Sequence, residues 1–282
     1  VHRTSGGWTA RFLAYRPGVY ALILIALLAV VSILAPVLTP YGRDAIDLDR
    51  ILAPPSADHV LGTDELGRDL FSRLLFGGRF TLMVAFLSVM IATVAGITLG
   101  AAAGYFGGRI DSFVSGLVDL FLSVPVFLVI MVAASAMGGG LWAIPIIIGA
   151  TSWMETARLV RARFLSLRTE DFVEAARSLG TSNLDIVVRH MLPNSLPVII
   201  VAMTVGFAQA MLIESALSFL GFGVQPPVPT WGNMLHNAHM LLRQAPAAAF
   251  APGLLIFITS LAFNFAGKGF KASLGGGKTS LR

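Results

Sequence analysis

Four groups of residues have types and spacings that could carry chemistry. His236 and His239 stand three apart, a spacing that brings two imidazoles to one helix face as zinc sites do. No carboxylate or third histidine lies near them in sequence, so a polar face turned to water is the plainer reading. GGGKTS at 275–280 resembles the end of a phosphate-binding loop, which needs G-x-x-x-x-G-K-[ST] between a strand and a helix. Ala272 stands where that motif needs its first glycine, so nucleotide binding by this chain is not expected. Asp119, Gln209 and Glu214 sit inside apolar runs. Polar groups of that kind are costly in lipid and must face protein or a water-filled pathway, either as hydrogen-bonding glue between helices or as pathway lining. Glu155, close to Arg158 at the end of a run, reads as a local ion pair. The fourth group is EAARSLGTSNLDIVVRHMLPNSLP, residues 174–197, a charged amphipathic stretch between long apolar runs. The five histidines are dispersed without catalytic partners, and the absence of cysteine excludes disulfides and thiolate metal sites.

The elements that position these groups follow from composition. With 282 residues, 56% hydrophobic and 12% charged, the chain has too little polar surface to cover a soluble globule. The solvent it suits is a bilayer. Its net charge of +5 is scattered over the ends of apolar runs with no aromatic-interleaved patch, which argues against nucleic acid. A spanning helix needs about 20 apolar residues, and runs near 19–38, 80–103, 113–136, 141–157, 197–220 and 250–266 meet or approach that length. The sequence therefore predicts an all-α polytopic membrane protein with six transmembrane helices. The fourth and sixth must borrow flanking residues such as Gly138 to Gly140 or Pro246 to Ala249. The first follows Arg3, Arg11 and Arg16, but it is too long for a signal-peptide core and lacks a cleavage site, so it is expected to remain as a signal anchor.

Orientation follows from the 20 lysines and arginines. With the N-terminus inside, only Arg43, Arg50, Arg68, Arg73, Arg79 and Arg243 fall in outer segments. Five of these lie in the first outer loop, where acids from Asp44 to Asp69 outnumber them. Both termini and the 174–197 stretch are thus assigned to the cytoplasm. The expected organisation is a cytoplasmic N-terminus, first span and outer loop over 1–79, a transmembrane domain over 80–268, and a flexible cytoplasmic tail over 269–282.

Two loops are expected to carry interfacial helices. In TDELGRDLFSRLLF, 63–76, Thr63 can cap, Asp64/Arg68 and Asp69/Arg73 are i,i+4 pairs, and Leu66, Leu70 and Leu74 share a face. In WGNMLHNAHMLLRQA, 231–245, apolar Trp231, Met234, Leu235, Ala238, Leu241 and Leu242 recur at helical spacing. In the second span, Ala92, Gly96, Gly100 and Gly104 form a stripe of small residues that lets a neighbouring helix come close. Pro125 is expected to kink the third span.

The 174–197 stretch itself reads as two short helices around a turn. Thr169 can cap the first, with Glu170 and Asp171 in its opening turn, and Phe172, Val173, Ala175, Ala176 and Leu179 form an apolar patch. Gly180 ends it, as the residue that reaches left-handed angles without a Cβ penalty. Ser182 and Asp185 suggest a second cap, and Pro193 is expected to stop that helix after Leu192. Charges around the patch forbid insertion into lipid, so the product is a cytoplasmic knob that docks on another protein.

Glu174-Ala175-Ala176, three residues, Gly180, then HMLPN at 190–194 resembles the EAA loop of ABC importer permeases, with the type I importer fold that this implies. The likeness extends through LGTDELGRDLFSRLLFGGR at 61–79, AGYFGGRID at 103–111, ESALSFLGFGVQPPVPTWGNML at 214–235 and LAFNFAGKGF at 261–270. Together these are similar to the C-type permease subunit of dipeptide and oligopeptide importers, whose relatives also carry nickel chelates or glutathione. The resemblance implies a coupling element near 169–194 in which Glu174, Ala175, Ala176, Gly180, His190, Leu192 and Pro193 engage the ATPase. It also implies a bacterial inner-membrane location, a homologous B-type permease partner, two ATP-binding subunits or domains that hold ATP and magnesium, and an extracytoplasmic peptide-binding protein. No cofactor is implied in this chain, which would be a transporter subunit without an ATPase site. An ion-coupled secondary transporter would need internal repeats and matched interrupted helices, and no convincing repeat is found.

Overall fold

The computed structural model describes residues 8–236 and 238–274. Among them every regular element is a helix, and the only strand-like pairing is an isolated bridge between Thr63 and Asp69. In chain order the helices are α1 (Trp8–Ala14), α2 (Arg16–Ile33), α3 (Ala35–Leu38), α4 (Leu70–Phe106), α5 (Gly108–Leu122), α6 (Val126–Met137), α7 (Ala143–Thr151) and α8 (Trp153–Leu167). There follow α9 (Asp171–Ser178), α10 (Asn183–Asp185), a π-helical segment over Ile186–Met191, α11 (Leu192–Phe219), α12 (Trp231–Met234), α13 (Ala238–Leu241) and α14 (Pro246–Leu274).

Four described helical stretches are long and apolar enough to cross a bilayer: Arg16–Ile33, Leu70–Phe106, Asn183–Phe219 and Pro246–Ser273. The expected third span is α5 plus α6, bent by 80°. Pro125 stands at that break as the residue before α6, where its missing N–H and fixed φ end one helix and start the next. The expected fourth span, 141–157, is not one helix, because the chain breaks at Ser152 between α7 and α8. Length and composition therefore support four spans, or five if the bent pair counts as one.

The predicted interfacial helix over 63–76 does not form as drawn. Asp69, not Thr63, is the N-cap: its carboxylate accepts from Ser72 N at 2.7 Å, and α4 then runs unbroken for 37 residues. Residues 63–69 instead make a tight turn in which Asp64 accepts from the backbone N–H groups of Leu66 and Arg68. The expected Asp64/Arg68 pair forms at 2.7 Å, whereas Arg73 turns to Asp64 at 3.3 Å and Asp69 takes His59 at 3.0 Å. The 231–245 segment likewise divides into α12 and α13. Thr230 and Asn233 form a reciprocal capping box that commits only four residues to α12.

At about 55 Å, α4 exceeds the roughly 30 Å of hydrocarbon, and it is the mast on which the others lean. Its small-residue stripe faces α8. A Cβ placed on Gly96 would lie 2.6 Å from Thr156 Cβ, on Gly100 2.5 Å from Ala157 O, and on Gly104 2.5 Å from Phe164 Cβ. Two cores result. One gathers Val84, Ile130, Ile144, Ile148, Met211, Leu217 and Trp231, the other Tyr105, Val160, Phe164, Val173, Ile186, Met191 and Ile199. Large apolar side chains such as Tyr20, Leu27, Phe250 and Phe257 remain exposed on α2 and α14, the pattern of a surface meant for lipid.

Helix ends gather on two sides. On one, Phe12 meets Phe270 with ring centroids 4.7 Å apart, and Tyr105 Oη donates to Asn183 Oδ1 at 2.7 Å. On the other, Trp231 Nε1 donates to Leu74 O at 2.9 Å and its backbone N–H to Thr81 Oγ1 at 3.0 Å. The 174–197 stretch thus lies on the same side as the ends of α1 and α14.

Candidate functional site: a knob and a mid-depth cavity

The knob is built by local signals. Helix α9 begins after Glu170, whose side chain makes no capping bond; Thr169 does not cap it, and its hydroxyl donates back to Ser166 O at 3.2 Å. At the other end Gly180 has φ +78°, Thr181 N donates to Ala176 O at 3.1 Å and Gly180 N to Arg177 O at 3.0 Å. These two bonds are the Schellman closure, which satisfies carbonyls the helix end would otherwise orphan. Ser182 then caps α10, accepting from Asp185 N at 3.2 Å and donating to Asp185 Oδ2 at 2.8 Å, while Arg189 holds Asp185 at 3.1 Å.

Pro193 does not stop the second helix. The chain runs through the π-helical segment directly into α11, with Pro193 in the first turn, where a missing N–H costs least. The wider π turn shifts the hydrogen-bond register, so that Leu192 N donates to Val187 O. Asn194 Nδ2 caps His190 O at 2.7 Å, and both Arg163 Nε and Nη2 donate to Asn194 O at 3.3 Å. The knob is therefore continuous with a membrane-length helix and braced to α8.

The apolar patch read from sequence has two sides. Val173 and Ala176 point inward onto Tyr105, Phe164, Ile186 and Met191. Ala176 is only 7% exposed, so it is a floor under α9 rather than part of an open docking surface. The outward face carries Glu174, Ala175, Phe172, Leu179 at 86% exposure and Leu184 at 74%, with half-exposed Val188 beside them. Leu184 and Val188 were not singled out in the sequence, although a leucine exposed between two capped turns is the signal that marks them.

The polar residues of the apolar runs part company. Asp119 is not buried: its side chain is 68% exposed and accepts from Arg158 Nη2 at 2.6 Å. That contact takes Arg158 away from Glu155, and the expected Glu155–Arg158 pair does not form. Glu155 instead lines a cavity of about 130 Å³ with Gln209, Ser88, Thr93, Ser152 and Thr156. Glu214 lies elsewhere, fully buried at the top of α11, where it takes the hydroxyls of Ser218 (2.8 Å), Ser215 (3.4 Å) and Thr230. Ser218 Oγ also accepts from Val224 N at 3.1 Å, so Glu214 pins the 221–234 loop over the helix end. Asp119, Gln209 and Glu214 thus do not converge on one site.

His236 gives its Nδ1 to Phe219 O at 2.7 Å, and no group of three or more His, Cys, Asp or Glu suited to a metal exists among the described residues. The side chain of His239 and the GGGKTS stretch lie outside them. Helix α14 continues through Leu274, past the expected start of the tail at 269.

Comparison with known proteins settles the lineage. Residues 96–274, which contain the knob and the part of the cavity wall formed by α7, α8 and α11, match the binding-protein-dependent transport system inner membrane component. The chain belongs to that family. Residues 8–55 also match the N-terminal transmembrane domain of oligopeptide transport permease C. The permease is 39% identical over 256 residues to the dipeptide transport system permease protein DppC of Alkalihalophilus pseudofirmus, covering 91% of this chain and 84% of that one. It is 37% identical over 265 residues to the glutathione transport system permease protein GsiD of Pectobacterium atrosepticum, covering 94% and 88%. In fold it resembles the inward-facing MetNI methionine ABC transporter, with a TM-score of 0.56 and 22% identity over 71% of this chain and 94% of that one. Permeases of this family are multi-pass inner-membrane proteins, and the long apolar helices of this one accord with that.

Proposed function

We propose that this permease is one of two membrane-spanning halves of an ATP-driven importer of dipeptides or oligopeptides. The observation that carries the proposal is the knob: a rigid, doubly capped projection with exposed Leu179 and Leu184, fused through an unbroken helix to α11, which lines the mid-depth cavity. Force applied to its outer face reaches the membrane without a flexible joint. In this reading six crossings put both termini and the knob in the cytoplasm, with α5–α6 and α7–α8 each making one crossing. A homologous permease completes the pathway, two ATP-binding subunits that carry ATP and magnesium seat against the knob, and an extracytoplasmic binding protein delivers cargo. The peptide assignment is supported by the likeness to the dipeptide permease and to oligopeptide permease C.

The test is reconstitution of the complete transporter in liposomes with its binding protein. ATP-dependent uptake of labelled dialanine is the expected result. Uptake of glutathione or a nickel chelate with no dipeptide uptake would move the cargo to the other branch. Retention of full uptake after removal of the ATP-binding subunits would overturn the importer reading.

A further inference from the structure

The cavity between α4, α7, α8 and α11 contains a carboxylate that no described residue neutralises. Glu155 is exposed in the first turn of α8, just past the break at Ser152, and is the only charged residue in the lining. Among the described residues it has no ion-pair partner, because the nearby Arg158 is held by Asp119. Its neighbours Gln209, Ser88, Thr93 and Thr156 are neutral hydrogen-bonding groups. The cavity lies beside the central part of α4, whose middle residue is Ser88, and Thr156, next to Glu155, packs against Gly96 about two turns closer to the knob. An ionised carboxylate among apolar spanning helices, without a cation beside it, is costly unless water or a cationic ligand meets it. At about 130 Å³ the space is smaller than the roughly 300–1,000 Å³ of pockets that enclose whole ligands, so it fits the end of a molecule.

From this juxtaposition we infer that Glu155 and Gln209 form a subsite for a primary ammonium group, which on the peptide reading above is the free amino terminus of the cargo. The ammonium has three donors and no acceptor. Glu155 supplies the charge-assisted bond, and the amide oxygen of Gln209 together with a hydroxyl supplies the neutral ones. The remainder of the peptide lies outside the cavity, toward the surface that the second permease covers. A site built to satisfy an N–H group discriminates strongly against an analogue that lacks it, because its own polar groups are then left unpaired. The subsite rests on the importer reading but goes beyond it in naming the chemical group the pathway recognises.

The chain lacks cysteine, so a single reporter can be placed in the lining. Ala202→Cys in the assembled, nucleotide-free complex would be labelled with a fluorescent maleimide in the presence of dialanine or N-acetyl-dialanine, without the binding protein. Dialanine is expected to slow labelling several-fold and the acetylated form to leave it unchanged. Adding Glu155→Gln should abolish the protection, Glu155→Asp should keep most of it, and Glu155→Gln combined with Gln209→Glu should restore it by moving the carboxylate across the cavity. Equal protection by both peptides, or protection that persists in Glu155→Gln, would overturn the subsite. So would loss of protection in Glu155→Asp equal to that in Glu155→Gln, which would mark a purely structural carboxylate. No protection in the parent protein, with dialanine uptake intact, would remove this subsite and leave the importer reading standing; absence of that uptake would remove the subsite together with the dipeptide assignment.

Discussion

Replacing Gly100 by alanine adds one methyl group, and the structure says where it goes. The new Cβ would lie 2.5 Å from the carbonyl oxygen of Ala157 and 3.0 Å from Val160 Cβ, inside the contact between α4 and α8. The first obstacle is backbone, which cannot rotate away as a side-chain tip can, so the two helices must part. Gly116 on α5 is the matched control, since a Cβ there meets nothing within 4 Å. Both changes gain the same helix propensity, roughly 0.8–1.0 kcal/mol for alanine over glycine, so this benefit cancels in the comparison. What remains is overpacking, roughly 1–3 kcal/mol, with no hydrophobic driving force in lipid to hold the separated helices together. At about 2–4 °C per kcal/mol for chains approaching this size, Gly100→Ala should unfold at least about 2 °C below Gly116→Ala. The assay is loss of helical circular dichroism on heating the detergent-purified chain at one fixed scan rate. Equal midpoints, or a higher one for Gly100→Ala, would show that α4 and α8 do not make this close contact.

Leu179→Asp or Leu184→Asp should leave the thermal midpoint unchanged but lower recovery of the ATP-binding subunits in co-purification by about tenfold, an interface loss of about 1.4 kcal/mol; full recovery would remove the outer face from the docking surface. Ala176→Trp should do the reverse, lowering the midpoint first, because the indole has no room beneath α9; an unchanged midpoint would contradict the burial of Ala176. Gly180→Val should cost about 1–2 kcal/mol through its left-handed backbone alone, since no atom lies within 4 Å of the added Cβ, and should speed hydrogen exchange over 171–191; unaltered exchange would mean that the turn does not hold the knob. For orientation, Ser56→Cys should react with an impermeant maleimide in intact cells and Ser182→Cys only after lysis, and early labelling of Ser182→Cys would invert the topology.

Much of this protein was written locally. Apolar runs longer than a bilayer is thick identify helices whatever surrounds them, and so α2, α4, α11 and α14 were legible. Gly180 and the Ser182–Asp185 cap were legible for a related reason, since a positive φ and a short side-chain bond to the backbone involve only neighbours in the chain. The small-residue stripe could be read because its four-residue period survives in any helix. Tertiary structure decided which way each group points. Val173 and Ala176 face inward while Ala175, Leu179 and Leu184 face outward because α9 is too short to define its own face until it lies on Phe164 and Met191. Pro193 does not end the helix because the chain enters α11 through a π turn that leaves it in the first turn, with Asn194 Nδ2 bonded to His190 O and Arg163 to Asn194 O beside it. Arg158 is three residues from Glu155 yet pairs with Asp119, 39 positions away, because the packing of α5 against α8 brings that carboxylate within 2.6 Å. Among the described residues Glu155 is thereby left without an ion-pair partner in the cavity, a consequence of how separate helices pack that no pattern within one of them contains.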